Sequence, residues 1–281
     1  MVNGIILLDK PKGKTSRDMV NELNHIFGMK KIGHTGTLDP LATGLLILCL
    51  GKYTKLVSVI QDTKKEYIAT IKLGISTDTL DITGNILEQK QCSITKEKLL
   101  NVLESIKGQI MQEIPKYSAK KINGKKLYEY ARENIEIEIP KNIIEVYEIE
   151  LLEFNNEEFT IRTIVSKGTY IRSIIQIVCG KLEVIGTMKE LRRTKEWHFN
   201  VDKDAQTIDD IKKGKYILYH AADFLDYKTY NLSIDEYQKV KNGNKLFINE
   251  ENLNIILMYN NQEVAIYQKE NDYYKPQIML I

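Results

Sequence analysis

The stretch that decides the fold is KKIGHTGTLDPLATGLLIL, residues 30–48. Its three glycines give the backbone freedom to turn, and Pro40 holds Asp39 in an extended conformation. The apolar run LLILCL, residues 45–50, is typical of a strand that is covered on both faces, so the loop before it is firmly anchored. The stretch predicts a carboxylate on a rigid loop, although an Asp-Pro pair also simply begins many turns.

The segment DKPKGKTSRD, residues 9–18, contains the Gly-Lys-Thr triplet that ends a phosphate-binding P-loop. A P-loop needs a glycine five positions before the glycine of that triplet, where this chain has Leu8. Pro11 lies inside the loop and has no N–H to offer a phosphate. A strand-to-helix turn is therefore favoured, and a P-loop nucleotidase is a remote alternative.

Composition limits the class of protein. With 281 residues, of which 43% are hydrophobic, the chain can build one large domain or one large and one small. Its apolar runs are too short for a signal peptide or a membrane span. The three cysteines are scattered, without a Cys-x-x-Cys pair or a histidine at ligand spacing. We therefore expect a cytoplasmic protein with no membrane partner, disulfide framework or zinc site.

The net charge of +2 says little about partners, but the distribution of charge says more. In YSAKKINGKKLYEYAR, residues 117–132, tyrosines lie among four lysines and an arginine. Cations for phosphates and aromatic faces for bases are what single-stranded or looped RNA needs. A solvated helix face has the same composition, and it is the favoured interpretation of a lysine cluster alone.

Periodicity in the first two thirds of the chain predicts helices between antiparallel strands, an α+β pattern. Thr15 and Asp18 form a capping box for a helix that ends at Gly28. The strand KEYIATIKLG turns Tyr67 inward. Further predicted elements are a helix over 95–107, strands at 135–139, 143–154 and 157–166, and a helix over 168–182 with Tyr170 and Arg172 in its first turn.

From about Tyr227 the pattern becomes a compact β-rich unit. Ser233 and Glu236 form a second capping box, and Gly243 ends the helix that it begins. Short strands are predicted after this helix, at residues 245–250, 254–259, 262–269 and 273–281. The sequence therefore predicts a second, small domain at the C-terminal end.

The stretch GHTGTLDPLATGLL closely resembles the signature of the TruB family of tRNA pseudouridine synthases. Five further blocks follow the order and the rough spacing of that family: KPKGKTS, KEYIATIKLGISTDTLDITG, YSAKKINGKKLYEYAR, SKGTYIRSI and LRRT. The resemblance covers nearly all of residues 1–195. It also implies that the Gly-Lys-Thr segment is a structural and RNA-contacting part of the site.

The resemblance implies a pseudouridine synthase fold, with a mixed and mainly antiparallel central sheet flanked by helices and loops. The catalytic domain would span 1–226 and include an RNA-gripping insertion at about 112–150. Residues 227–281 are similar to the small PUA-type RNA-binding domain of bacterial members. That match is carried by position and strand pattern.

The implied reaction is the isomerisation of uridine 55 in the T loop of tRNA to pseudouridine. The glycosidic bond is cleaved, the flipped base rotates, and it rejoins the sugar through a ring carbon. The reaction has no net redox change, so no cofactor and no metal are expected. The implied partner is the T arm of tRNA, and we expect the enzyme to be a monomer.

Three residues receive catalytic roles from the resemblance. Asp39 would be the nucleophile, and Arg172 would hold its carboxylate and favour the ionised form. Tyr67 would stack on the flipped uracil and help to remove the proton from the new attachment carbon. Taken singly, a strand tyrosine is usually part of a core and an arginine near a helix start usually makes a surface pair.

Substrate-binding roles are also implied. Tyr170 and Leu191 would line the pocket, and His34 would fill the space that the target nucleotide leaves in the RNA loop. Direct contacts with RNA are expected from Lys10, Lys120 and Lys121. Two departures from the family pattern stand out, since Trp197 replaces a common glycine, which we expect to reshape a pocket edge, and Ile114-Pro115 replaces a Pro-Pro pair, which would alter the stiffness of the insertion.

Two other functions remain open at this stage. One is a tRNA-binding folding factor whose catalysis is secondary, against which the intact Asp39, Tyr67 and Arg172 argue. The other is a guide-RNA-dependent pseudouridine synthase, whose members usually carry extra terminal segments, whereas this chain starts directly at its first strand.

Overall fold

The computed structural model describes residues 2–61 and 63–281. Within these residues the strands, in chain order, are β1 (Gly4–Lys10), β2 (Ile32–His34), β3 (Thr43–Leu50), β4 (Lys65–Leu73), β5 (Ile75–Thr77), β6 (Ile86–Gln89), β7 (Gly108–Glu113), β8 (Lys121–Ile122), β9 (Lys125–Lys126), β10 (Lys141–Phe154), β11 (Glu158–Val165), β12 (Gly186–Glu196), β13 (Phe199–Asn200), β14 (Lys228–Asn231), β15 (Asn254–Tyr259), β16 (Gln262–Glu270) and β17 (Tyr273–Met279).

The helices lie between these strands, singly or in short runs. They are α1 (Ser16–Ile26), a 3-10 helix (Gly51–Leu56), α2 (Val57–Ile60), α3 (Lys96–Ser105), α4 (Leu127–Arg132), α5 (Ile171–Leu182), α6 (Val201–Asp204), α7 (Ile208–Lys212), α8 (Ala221–Phe224) and α9 (Ile234–Lys241). The α+β class is confirmed.

The central sheet has the strand order β1-β3-β12-β4-β11-β10-β7, with β2 paired to β3 and β13 paired to β12. The β12–β3 pair is parallel, and the other pairs of this sheet are antiparallel. The prediction of a mixed, mainly antiparallel sheet is confirmed. A second sheet has the order β14-β15-β16-β17, and two small hairpins are formed by β5–β6 and β8–β9.

Strand β3 is covered on both faces, as LLILCL predicts. Leu46 and Leu48 belong to the apolar cluster that also takes in the buried residues of α1, α3 and α5. Leu45 and Ile47 belong to a second cluster, which includes residues of the C-terminal sheet. Because both layers exclude water from β3, its position is fixed, and so is the start of the loop that precedes it.

The predicted helix boundaries in the first two thirds of the chain are largely confirmed. The Thr15–Asp18 capping box begins α1, and Gly28 follows that helix with a φ of 60°. Thr95 caps α3. Tyr170 is the N-cap of α5, so the first turn of this helix carries Arg172.

Two predicted strands are wrong. Residues 135–139 alternate in hydrophobicity, but they form no strand and instead connect α4 to β10. In residues 245–250, only an isolated bridge from Leu246 to Tyr274 is formed. Both segments have a strand-like composition but do not pair along their length, because tertiary context and not composition decides which segments pair.

The segment outside the central sheet is shorter than the predicted insertion at 112–150. Residues 141–150 belong to β10, which pairs with β7 on one side and β11 on the other. The segment between β7 and β10, residues 114–140, contains the β8–β9 hairpin and α4. We call residues 114–140 the basic segment.

The C-terminal sheet packs against the back of the central sheet. Besides the shared apolar cluster, the Tyr53 hydroxyl donates to the Glu263 carboxylate at 2.6 Å. The Ser233–Glu236 capping box is confirmed at the start of α9. The division at 226/227 remains a proposal. In the part of the chain that the structure describes, no helix is both long and apolar enough to cross a lipid bilayer.

Candidate active site

The Asp39 carboxylate is held by the Arg172 guanidinium in a bidentate pair. Arg172 Nε lies 2.9 Å from Asp39 Oδ2, and Arg172 Nη2 donates to Asp39 Oδ1 at 3.0 Å. Asp39 lies in the loop between β2 and β3, and Arg172 lies in the first turn of α5. The two ends of the pair therefore come from residues 133 positions apart, and the fold brings them together.

Arg172 is itself fixed by the backbone around it. Its side chain is only 4% exposed, whereas that of Asp39 is 30% exposed. Arg172 Nη1 donates to the Thr79 carbonyl at 2.9 Å, and Nη2 donates to the Tyr117 carbonyl at 3.0 Å. Since a planar guanidinium with donors satisfied on several sides has little freedom, the carboxylate it holds is oriented with it.

The segment that resembles a P-loop is hydrogen-bonded to the loop that carries Asp39. Gly13 N donates to the Pro40 carbonyl at 2.7 Å. Leu38 N donates to Ser16 Oγ at 2.8 Å, and Ser16 Oγ donates back to the Leu38 carbonyl at 3.2 Å. The N-terminus of α1 is already capped by Thr15, so this segment acts as a brace for the loop rather than as a phosphate cradle.

Asp39 and Arg172 lie in the wall of a cleft of about 380 Å³. Tyr67 on β4 and Leu191 on β12 contribute to the same lining, as does Tyr170 at the start of α5. Lys120 reaches the cleft from the basic segment. The structure thus brings together six of the nine residues that the sequence singled out, while their roles remain predictions.

Three predicted residues do not line this cleft. His34 lies half-buried on β2 beside it, and burial lowers the pKa of its imidazole. Lys121 is exposed on the β8–β9 hairpin. Lys10 is fully buried, and its Nζ donates to the carbonyls of Pro11 and Lys14 at 2.9 and 2.5 Å.

The placement of Lys10 differs from the expected surface contact with RNA. Its ammonium is turned inward to satisfy carbonyls of the turn after β1. Burial lowers the pKa of Lys10 to about 8, although the nearby carboxylates of Asp39 and Asp18 oppose this shift. Lys10 therefore places a positive charge near Asp39 and stabilises the turn that supports the Asp39 loop, and its ammonium does not reach the surface.

Burial raises the pKa of Asp39, and the neighbouring Asp81 carboxylate adds to this shift. Arg172 acts in the opposite direction, as expected for an adjacent cation, but burial outweighs it. The expectation that Arg172 favours the ionised form is correct in sign, while the net shift is upward. A carboxylate with weaker solvation is also a stronger nucleophile and base.

A buried charge network behind the cleft was missed by the sequence reasoning. Arg193, on β12, is 1% exposed, donates to the Leu45 carbonyl at 2.6 Å and lies 3.4 Å from the Glu196 carboxylate. Lys65 lies 3.5 Å from the other oxygen of Glu196, which also accepts from Thr35 Oγ1 at 2.8 Å.

This network touches the cleft through Tyr67 and Arg193. Burial raises the pKa of Tyr67, and a hydrogen bond and the charge of Arg193 oppose that shift. Both Lys65 and Arg193 line the cleft. The signal of this network in the sequence is Arg193, the second arginine of LRRT. A charged residue is usually interpreted as half of a surface ion pair, so the sequence analysis did not predict that Arg193 is buried.

The described residues contain no cluster of three or more histidine, cysteine or acidic side chains arranged to hold a metal ion. Within this part of the chain, the cleft offers one carboxylate in a cationic surrounding, together with two tyrosines. Such a set can bind a planar base next to a nucleophile.

Comparison with known proteins identifies the family of this chain. The family described as TruB pseudouridylate synthase, N-terminal domain, matches residues 24–171. A tRNA pseudouridine synthase B from Caldicellulosiruptor saccharolyticus is 41% identical over 283 residues, covering 98% of this chain and 97% of the relative. Its counterpart from Caldanaerobacter subterraneus subsp. tengcongensis is 40% identical over 269 residues, covering 94% of each chain.

A solved structure described as a Cbf5-Nop10-Gar1 complex aligns with a TM-score of 0.73 and 23% identity, over 99% of this chain and 85% of that chain. At this level of identity the likeness concerns the fold alone. From the family match and the near-full-length relatives together, this chain belongs to the TruB family of pseudouridylate synthases.

Proposed function

We propose that this protein isomerises uridine 55 in the T loop of tRNA to pseudouridine, with Asp39 as the nucleophile and the target base flipped into the cleft. The observation that carries the proposal is the bidentate Asp39–Arg172 pair in the wall of the cleft. The choice of tRNA as substrate is supported by the names of the relatives.

The size and lining of the cleft suit a single flipped base. A volume of about 380 Å³ is at the small end of the range for ligand sites. Tyr67 and Leu191 supply an aromatic face and an apolar wall, and enzymes that flip bases hold them between such side chains. Asp39 then lies beside the flipped nucleotide.

The chemistry requires one bond to be exchanged for another. The N1–C1′ bond breaks, the freed uracil rotates within the cleft, and a C5–C1′ bond forms. C5 loses its proton and N1 gains one, so no oxidant, reductant or water is consumed. The chain must therefore supply a nucleophile, a surface that retains the loose base, and a route for one proton.

The described residues can meet these needs. Asp39, oriented by Arg172, is the nucleophile, and it is poised because its counter-charge is already in place. Tyr67 holds the rotating base by stacking. Since burial raises the pKa of Tyr67, its hydroxyl stays protonated at neutral pH, and Arg193 beside it would stabilise the phenolate if this hydroxyl gives up its proton.

Binding of the tRNA backbone is supported by the charges around the cleft. Lys120 and Lys167 are exposed and both contribute to its lining. Cations near a groove supply sequence-independent affinity for phosphates, which weakens as salt rises. We further propose that the enzyme acts as a cytoplasmic monomer without cofactor or metal.

The test is tritium release from an unmodified tRNA transcript labelled at C5 of uridine, with purified protein and no other RNA or protein. Wild type should release one tritium per tRNA. Asp39→Asn should abolish release while tRNA affinity stays within about tenfold, because a near-isosteric change removes the nucleophile and keeps the binding surface.

The chain offers a matched control in Asp9→Asn. Asp9 also forms a bidentate pair, with Arg192, and its side chain has the same 30% exposure as that of Asp39, but it does not line the cleft. Release should persist in this variant. Tight tRNA binding by wild type without any release would favour the folding-factor or guide-dependent alternatives, and release by Asp39→Asn would refute the assigned nucleophile.

A further inference from the structure

A second groove lies beside the cleft, where β4 begins and β11 ends. Its lining consists of Thr63, Lys64, Tyr147, Ser166, Lys167 and Trp197. Lys167 lines both the cleft and this groove, so the two adjoin at this residue. We call this surface the Trp197 groove.

Trp197 has an unusual backbone for so large a side chain. It lies in the turn between β12 and β13, where Glu196 pairs with Phe199, and its φ is 60°. This left-handed region suits glycine and is a real outlier for a bulky residue. Its side chain is 39% exposed, so burial in a core does not account for the choice of tryptophan. Strain of this kind is typically retained where a site uses it.

The rest of the groove supplies positive charge and a second ring. Lys64 Nζ lies 3.8 Å from the centroid of the Tyr147 ring, and Trp197 N donates to the Lys64 carbonyl at 3.3 Å. Lys64 and Tyr147 are therefore in fixed relation to the turn that carries Trp197. An aromatic face beside ammonium groups matches an unpaired base and its phosphate.

The groove is one short step from the target position. Arg193, in the lining of the cleft, and Trp197 are four residues apart along the chain, which is roughly 13 Å for an extended strand. An RNA strand whose flipped uridine lies in the cleft must leave the cleft over one of the cleft's rims. The rim formed by the Trp197 groove offers positive charge and aromatic rings to that strand.

We propose that the Trp197 groove binds an unpaired nucleotide of the RNA substrate next to the flipped uridine, with its base stacked on Trp197 and its phosphate near Lys64 and Lys167. This inference rests on the proposed function, because it assigns a second contact to the same RNA. It gives the tryptophan a role in substrate recognition outside the catalytic cleft.

Trp197 is the single tryptophan of the chain, so its fluorescence reports on this groove alone. The Asp39→Asn protein is titrated with unmodified tRNA transcript, and tryptophan emission is compared with filter binding on the same samples. We expect quenching that saturates with the bound fraction. Unchanged emission at full occupancy would overturn the proposal.

A scan of transcripts with one abasic nucleotide at each position of the T loop then locates the stacked base. Loss of quenching at one position next to the target uridine is expected. Quenching that survives every abasic position would mean that the emission responds to a remote change, and the stacking contact would be refuted.

Two substitutions separate stacking from folding. Trp197→Gly suits the backbone at this turn, so thermal unfolding should occur at an equal or higher temperature. Its Kd for tRNA should rise by about five- to a hundredfold, the range for loss of one stacked base. Trp197→Phe keeps a ring and should bind within about threefold of wild type.

The outcomes distinguish this inference from the proposed function. If wild type releases tritium while Trp197→Gly binds tRNA as tightly as wild type, the Trp197 groove is not a contact and the synthase assignment stands. If wild type neither binds nor modifies tRNA, the proposed function fails and the inference fails with it.

Discussion

The two walls of the cleft are built in opposite ways. One wall, the loop that carries Asp39, is held by hydrogen bonds with Gly13, Ser16 and Arg172 and ends on a strand buried on both faces. The other wall is the basic segment, residues 114–140, whose hairpin strands have two residues each and whose Lys120 and Lys121 are exposed.

The difference reflects what each wall has to do. A nucleophile must hold its geometry to a fraction of an ångström, so it needs short-range hydrogen bonds and dense packing. Attraction between lysines and phosphates acts over several ångströms and tolerates movement. The contact between Arg172 and the Tyr117 carbonyl joins the two walls, so the basic segment is tied to the partner of Asp39.

The largest effect of breaking the rigid wall is expected from Arg172→Lys. Lysine cannot form a bidentate pair and reaches fewer of the carbonyls that fix the guanidinium. Turnover in single-turnover tritium release should fall on the order of a hundredfold or more, since small misplacements of a catalytic group cost that much. Affinity for tRNA should change little.

The matched control is Arg192→Lys, which breaks the bidentate pair between Arg192 and Asp9. Arg192 follows Leu191 on β12 but lies outside the lining of the cleft. Its turnover should stay close to that of wild type. Equal losses in both variants would mean that the Asp39–Arg172 pair only stabilises the sheet.

The charged wall is tested by removing its lysines together. Replacing Lys120, Lys121, Lys125 and Lys126 by alanine should weaken tRNA binding on the order of tenfold to a hundredfold at low salt. The slope of log Kd against the logarithm of the salt concentration should decrease by up to about three, as expected for four lost phosphate contacts. Binding isotherms over a range of salt concentrations measure both.

A control with the same loss of charge is available outside the lining of the cleft. It replaces Lys96 and Lys98 of α3, Lys107 two residues after that helix, and Lys181 near the end of α5 by alanine. That variant should keep the salt slope of wild type. If the two sets behave alike, the lysines of the basic segment act only through net charge and form a solvated face.

The smallest effect concerns pH and sharpens the description of the rigid wall. Burial raises the pKa of Asp39, and in the proposed reaction the ionised carboxylate is the reactive form. As pH falls, Asp39 should therefore become protonated above the usual range of an aspartate, and kcat/KM should decline there. A pH profile of single-turnover rates measures this decline, and activity that persists undiminished down to the ordinary aspartate range would contradict the upward shift.

Prediction from sequence worked best where local chemistry and the apolar pattern agreed. The capping boxes at Thr15 and Ser233, the buried run of β3 and the inward face of Tyr67 are all set by neighbours along the chain. It failed at β12, whose charged residues hide its strand character. Arg193 and Glu196 are buried there because each meets its opposite charge, and a pattern of apolar residues cannot reveal such a pair.

The sequence by itself determined most of the helices and strands, the family blocks and the candidate residues, because capping, turn formation and hydrophobic alternation act over a few residues. Only the tertiary structure decided that Lys10 turns inward, that Asp39 meets an arginine 133 residues away, and that Trp197 lies in a groove beside the cleft. Those facts depend on contacts between distant segments. The geometry of such contacts is fixed only when the sheet has formed and its packed faces exclude water.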